Sequence, residues 1–336
     1  MFVMKKHLVF LLFALLILGV TASSSEAKPE FTLEFGHIQN PGHALSIAPE
    51  EFKAMVEERT GGRVQVNIYP SSQLGSAREM MEQVTMGTLD MTCCDTADWA
   101  AALNIPQLAV FNMPFLTKDL ATQAKLINDI VSVEVPKMLE GSNVRLLMTY
   151  SNGIRQPLLK TKPITKLEDI KGIKMRTAET PLYVDLWNCL GASTVTSAWS
   201  EAYTLLQQGV ADAVEADVTG LINQNLQEQA KYFSKIGHLG AIYCVFINND
   251  KWNSMPKDLQ DIVQQCANDS QAKQLKDRNA SDAAAEKIMA DAGVKINEIS
   301  DAERMRMKDA CKPIYDQYEK EYNLGALIDS MLALNN

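Results

Sequence analysis

An α/β fold in two lobes with a cleft between them is what the sequence predicts, and three observations carry that prediction. Strand-like and helix-like patterns alternate from the start in βαβαβ order, which argues for parallel sheet and right-handed crossovers. The rhythm breaks near residue 150 and resumes, so two α/β units are joined by crossings near 150 and 240. Residues 256–292 then hold no Gly and no Pro after Pro256. A helix over that stretch spans ~50 Å at 1.5 Å per residue, long enough to bridge both lobes.

Each element has a local reason. Residues 31–35 (FTLEF) alternate apolar and polar, as a half-buried strand does. Residues 49–59 (PEEFKAMVEER) are amphipathic, with Phe52, Met55 and Val56 on one face and Gly61-Gly62 as the stop. Residues 63–69 (RVQVNIY) return to period two and close at Pro70. Residues 76–86 read as a helix ended by Gly87, and 89–92 as a short strand. In the second unit 144–150 is a strand, and a new extended segment starts at Ile154. Residues 173–177 (IKMRT) form a strand, 181–190 a helix begun by Pro181 and ended by Gly191, and 200–208 a further helix before Gly209. Residues 241–248 (AIYCVFIN) are strand again, and 301–322 make a last helix interrupted at Pro313.

The N-terminus sets the compartment. Lys5 and Lys6, the apolar run LVFLLFALLILGV at 8–20, and the small residues around Ser25-Glu26-Ala27 follow the order of a secretory signal peptide. Thirteen apolar residues fall short of the ~20 that span a bilayer, and no cysteine follows to take a lipid. The expected product is a soluble, monomeric periplasmic protein beginning near Lys28. Its lobes are expected to take residues 28–152 with 242–281, and 153–241 with 282–336. Loss of residues 1–27 removes two lysines and one glutamate, which moves the net charge from −9 to −10. So acidic a chain has no electrostatic reason to bind nucleic acid or anionic lipid, and it needs local positive charge to hold an anion.

Catalysis is not expected. Apart from His7 in the leader, the histidines are His37, His43 and His238. There is no HExxH, no GxSxG and no phosphate loop. His37 and His43 lack carboxylates at ligand spacing, so no metal and no cofactor is predicted. Cys93, Cys94, Cys189, Cys244, Cys266 and Cys311 form no CxxC pair and read as buried thiols, although an oxidising compartment makes a Cys266–Cys311 bridge conceivable.

The segment from Gly153 to Asp217 carries the function. It opens with Gly153-Ile-Arg155 at the crossing between lobes and continues through Lys171-Gly-Ile-Lys-Met-Arg176. Gly191-Ala192, Trp199-Ser-Glu201, Gln207-Gln-Gly209 and Asp212-Ala-Val-Glu215 follow. In 173–177, Lys174 and Arg176 share one face, and Arg176 stands at the carboxyl end of the strand, where open α/β sheets place their clefts. A guanidinium offers a planar fork of donors matched to a carboxylate and stays charged. On pattern alone a solvated strand arginine explains Arg176 as well.

The pattern KGxKxR, GA, SExYxxLQxGxxDxxE, together with Tyr69-Pro-Ser-Ser-Gln-Leu-Gly75, Arg78-Glu79 and Gly87-Thr-Leu-Asp90, resembles the solute-binding proteins of TRAP (tripartite ATP-independent periplasmic) transporters, dicarboxylate-binding family. The likeness covers the whole mature chain. It implies a periplasmic binding protein of the Venus flytrap type, with a hinge, a long helix across both lobes, and delivery of ligand to small and large membrane subunits. It also implies that Arg176 forms a salt bridge with the substrate carboxylate, supported by Arg155. Asp95 matches a cleft-facing position after the third strand, and Trp199 an aromatic site. His37 and Trp99 complete the candidate ligand-binding set.

Two departures from the pattern bear on the ligand. Ala216 and Asp217 stand where an asparagine and a proline are common, and Ser193-Thr-Val-Thr196 replaces a proline-bearing run. Asp95, Asp98, Glu215 and Asp217 add acid near the expected cleft, and unpaired buried carboxylates beside an anion are costly. One of them facing a ligand ammonium, with Trp199 against a ring, predicts an amino-bearing or aromatic carboxylate; salt bridges to the protein explain the acids equally well. A sensor feeding a signalling receptor is the alternative function, and a periplasmic enzyme a more distant one.

Overall fold

Ten strands carry the architecture: β1 (Phe31–Gly36), β2 (Val64–Tyr69), β3 (Met91–Asp95), β4 (Val144–Leu159), β5 (Lys174–Thr177), β6 (Ser193–Thr196), β7 (Ala213–Ala216), β8 (Tyr232–Lys235), β9 (Leu239–Asn248) and β10 (Lys295–Glu298). In the computed structural model, which describes residues 28–335, they form one sheet in the order β2-β1-β3-β9-β4-β7-β5-β6, with β8 pairing β4 and β10 pairing β8. The signal peptide expected at 1–27 lies outside the described residues. No described helix is long and apolar enough to cross a membrane.

The first unit is parallel, β1 lying between β2 and β3, as βαβαβ order requires. The second unit is parallel in the same way, with β5 between β6 and β7. Antiparallel β9 and β4 join the two halves. Two lobes therefore share a common central pair of strands.

Local chemistry explains most boundaries. Ser76 begins the helix Ala77–Met86 with a reciprocal capping box to Glu79, and Gly87 ends it in the left-handed region at φ 78°. The helix read as starting at Pro49 in fact runs Ala44–Arg59, because His43 caps it: its Nδ1 accepts from the Leu45 amide at 2.9 Å. Pro49 then sits inside and forfeits one helical hydrogen bond. All five residues of β3 are buried, so period two vanishes and the sequence pattern misplaces the strand's end. The last helix breaks at Cys311, which puts Pro313 in the first turn of Lys312–Tyr322, and a further helix, Gly325–Ala333, follows. The six cysteines are free, so Cys266 and Cys311 are not bridged.

The crossing near residue 150 is one continuous strand rather than two segments. β9 pairs with β4 from Val144↔Asn248 to Arg155↔Leu239, and β7 takes over at Gln156↔Ala216. A register shift between Ser151 and Ile154 marks a bulge at Asn152-Gly153, with Gly153 at φ +75°. That irregularity is the break visible in the sequence.

The helix Lys257–Asp291 runs past this bulge. Its front half packs on the helix Ala44–Arg59 and on β4, while Ala285 and Met289 join the core of the second lobe. The middle is polar. Gln274 accepts from the Ser151 amide at 3.0 Å and donates to the Ser151 carbonyl at 2.7 Å, replacing ladder bonds that the bulge interrupts. Arg278, 1% exposed, lies over Gly153, where a Cβ would stand 2.9 Å from its Cζ.

Gly153→Ala is expected to destabilise the protein by about 2–4 kcal/mol, through a strained left-handed alanine and a displaced buried arginine. Equilibrium urea unfolding measures this, and parental stability in the variant would overturn the crossing geometry.

Candidate functional site

Strand ends and the loops after them converge on a cavity of about 540 Å³ between the lobes. β4 supplies Asn152 and Arg155, β5 supplies Arg176, the stretch after β6 supplies Ser197 and Trp199, and β9 supplies Tyr243. Asp98, Arg78 and Gln39 face them from the first lobe.

Three arginines are buried near this junction, and two meet carboxylates. Arg155 grips Glu215 in a fork, Nε to Oε2 at 2.6 Å and Nη2 to Oε1 at 2.8 Å, and donates to the Glu215 carbonyl at 2.9 Å. Glu215 also accepts from Thr177 Oγ1 at 2.8 Å and lies 3.1 Å from His238 Nε2. Burial alone raises the Glu215 pKa, but the Arg155 charge and the hydrogen bonds from His238 and Arg155 outweigh it and hold the carboxyl at about 2. The second buried arginine, Arg278, pairs with Asp217 at 2.9 Å and Asp282 at 2.7 Å.

Arg176 is the exception. It is 1% exposed, yet no carboxylate among the described residues lies within salt-bridge distance. Its Nε donates to Ser197 Oγ at 3.1 Å and its Nη2 to the Ser197 carbonyl at 2.5 Å. Its Cζ stands 5.3 Å from the centre of the Trp199 ring, a cation–π arrangement. Burial, with Arg155 adding to it, lowers the Arg176 pKa to about 10, which leaves it protonated at neutral pH.

Arg176, Arg155, Trp199 and Asp217 line the cavity together, as the sequence placed them. Glu215 stands behind Arg155 rather than in the cavity wall. Asp95 lies below the cavity as the cap of the helix Thr96–Leu103, accepting from the Ala97 amide at 2.8 Å, from Tyr183 Oη at 2.6 Å and from Asn112. Burial raises its pKa to about 7, with Asp98 contributing. Trp99 is core: it stacks on Phe246 at 4.5 Å and donates Nε1–H to the Cys244 carbonyl at 3.2 Å. His37 is buried against Phe35, neither ring nitrogen has a partner among the described residues, and burial lowers its pKa to about 4. Neither Trp99 nor His37 reaches the cavity.

Asp217 is a structural hub. It caps the helix Val218–Asn223 through the Gly220 amide, pairs with Arg278, and meets His43 Nε2 at 3.4 Å. His43 comes from the first lobe, so this carboxylate joins three distant segments. Of the four acids that the sequence places near the cleft, Asp95, Glu215 and Asp217 are thus satisfied by protein donors. Among the described residues, Asp98 is the one of the four that lines the cavity and accepts from Thr180 and no other donor. Asn152, Ser197 and Tyr243 were not legible as site residues. Asn152 precedes a glycine at the crossing, which is a faint signal, whereas Tyr243 sits inside an all-buried strand with no signal at all.

The model for bacterial extracellular solute-binding protein, family 7, matches residues 35–321. The 2,3-diketo-L-gulonate-binding periplasmic protein of Escherichia coli is 28% identical over 318 residues, 94% of this chain and 95% of that one. A TRAP periplasmic solute-binding protein of Ochrobacterium anthropi, solved with bound L-fuconate, is 29% identical with a TM-score of 0.82, covering 91% of this chain and 99% of that chain. Another, of a Sulfitobacter species with bound β-D-galacturonate, is 25% identical with a TM-score of 0.82, covering 90% and 98%.

Glu215→Gln leaves Arg155 buried without its counter-charge and is expected to lose about 3–5 kcal/mol of stability at pH 7. The depressed folded pKa makes the Glu215 contribution complete above the ordinary glutamate pKa and lost as pH falls through about 2. The stability gap between parent and variant should therefore narrow by about 3 kcal/mol from pH 7 to pH 2. Urea unfolding across that range reads the gap, and a pH-independent gap would contradict the assignment.

Proposed function

The chain belongs to family 7 of the bacterial extracellular solute-binding proteins, the solute-binding component of TRAP transporters and not an enzyme, and we propose that Arg176 holds the carboxylate of a small organic acid in its cleft. One observation carries this reading: Arg176 is a buried, protonated guanidinium on the cavity wall that forms no ion pair with any carboxylate among the described residues. Burying a lone cation is costly, and a ligand carboxylate is the charge that completes the site. Ser197 and Trp199 hold the guanidinium in place while leaving part of its fork free. Arg155 supports the same end of the cavity with its remaining Nη1 edge, since Nε and Nη2 are committed to Glu215.

The ligands named for similar proteins, L-fuconate, galacturonate and 2,3-diketo-L-gulonate, are sugar acids of one carboxylate each. A cavity of about 540 Å³ lined by hydroxyls, amides and one indole suits a ligand of that size and polarity. The loaded protein, acting as a monomer, then delivers the acid to the small and large membrane subunits. An aromatic ligand draws less support, because Arg176 already covers one face of Trp199.

Calorimetric titration with whichever acid most raises the melting temperature, among L-fuconate, D-galacturonate, D-glucuronate and succinate, tests the role of Arg176. Arg176→Ala should weaken binding at least about 100-fold, and Arg176→Lys about 10-fold or more, because lysine keeps the charge and loses the planar fork. Unchanged affinity in Arg176→Ala would refute the reading.

A further inference from the structure

The cavity that holds an anion is bordered by more negative than positive side chains, three guanidiniums against five carboxylates. Most of these charges are already matched. Arg155 is neutralised by Glu215 from behind, and Arg78 pairs with Glu82 at 3.1 Å on the exposed rim. Asp217 is held by Arg278 and His43, and Glu79 closes the capping box of its own helix. Glu179 stands exposed at the edge. Two groups remain inside: the Arg176 guanidinium and the Asp98 carboxylate.

Asp98 occupies the first turn of the helix Thr96–Leu103, one turn beyond the Asp95 cap. One of its oxygens, Oδ1, accepts from Thr180 Oγ1, which comes from the segment between β5 and the helix Pro181–Cys189. That bond spans the cleft, so Asp98 is fixed in position and its Oδ2 is left with no donor among the described residues. Asn152 lines the same cavity from β4, 1% exposed, and its Oδ1 also lacks a partner among the described residues. Both groups can be completed by hydroxyls and neither by a second anion.

We propose that Asp98 is a specificity-determining residue that restricts this cleft to hydroxylated monocarboxylates, by accepting a ligand hydroxyl and repelling a second carboxylate. The inference rests on the reading of Arg176 as the carboxylate site and adds to it the character of the ligand's other end. With one lining guanidinium outside any ion pair among the described residues, there is one place for a carboxylate. A dicarboxylate seated on Arg176 turns its second charge toward a fixed carboxylate and other acids, and like charges brought together in a partly desolvated site are strongly discriminating. A polyhydroxy chain in the same place gives Asp98 Oδ2 a donor.

The test compares acids that differ in the second carboxylate. D-galacturonate and galactarate share their hydroxyl configuration, while galactarate carries a carboxylate at both ends. L-fuconate, D-glucuronate, L-malate and succinate extend the comparison. In calorimetry on the full mature chain, the tightest monocarboxylate is expected to bind at least about 100-fold more tightly than any of the dicarboxylates. Asp98→Asn keeps the shape, removes the charge, and should shrink that ratio at least about 10-fold, chiefly by improving the dicarboxylates. The ratio is read within each folded protein, so a general loss of stability does not move it. Parental binding of any dicarboxylate as tight as the best monocarboxylate overturns the proposal without any variant, as does failure of all the hydroxylated monocarboxylates to bind. An unchanged ratio in Asp98→Asn overturns it too. Arg176→Ala separates the two readings: if it retains affinity the carboxylate site is wrong, whereas a dicarboxylate preference that Arg176→Ala abolishes leaves that site standing and removes only the role of Asp98.

Discussion

A guanidinium buried without a counter-charge is so unfavourable that its neighbours must be arranged around it, and the cleft is organised by this constraint. Arg155 and Arg278 satisfy it with Glu215 and with Asp217 and Asp282. Glu215 is itself saturated by Thr177 and His238, so none of its acceptor capacity reaches Arg176. Arg176 is thereby left without an ion pair, while the nearby Glu215 charge offsets part of the effect of burial, and Ser197 and Trp199 hold it on the cavity wall. Two arginines twenty-one residues apart line one cavity in different states: Arg155 has its charge met by Glu215 and only its Nη1 edge uncommitted, whereas Arg176 has no ion-pair partner among the described residues.

The same logic explains why acids are tolerated around an anion site. Asp95 and Asp217 are both helix caps, and Asp217 is paired with Arg278 and His43 as well, so both carboxyl groups are engaged by protein donors before they reach the cavity. The site does not need a net positive surface. It needs one positive group whose field is not cancelled at short range.

How much of this was legible depended on whether the signal was local. Capping boxes, glycine stops and the unbroken stretch after Pro256 are local, and the helices Ala77–Met86 and Lys257–Asp291 follow them closely. The motif from Lys171 to Glu215 singled out Arg176 and Trp199, and the upstream motif at Gly153 singled out Arg155; all three line the cavity. Signals failed where burial on both faces erases periodicity, as in β3, or where a distant group settles a boundary, as His43 does for the helix that contains Pro49. They failed again for roles set by partners. Trp99 and His37 have the residue types of ligand contacts, but Phe246 and Phe35 claim them for the core. Asp95 and Asp98 lie three residues apart on one helix start, and only folding shows which of them is tied down and which faces the cleft.

The polar middle of the helix Lys257–Asp291 has a mechanical meaning. Its ends are bedded in apolar packing, one in each lobe, but between them Ser270, Gln274 and Arg278 grip the crossing strand through hydrogen bonds alone. Apolar interlocking resists sliding because every side chain must leave its socket together, whereas hydrogen bonds between a side chain and a strand re-form with the next available acceptor or with water. The helix is thus anchored by apolar contacts in each lobe and tied to the crossing strand between them by buried polar contacts, so the two cores are joined through a polar seam rather than through one continuous apolar interface.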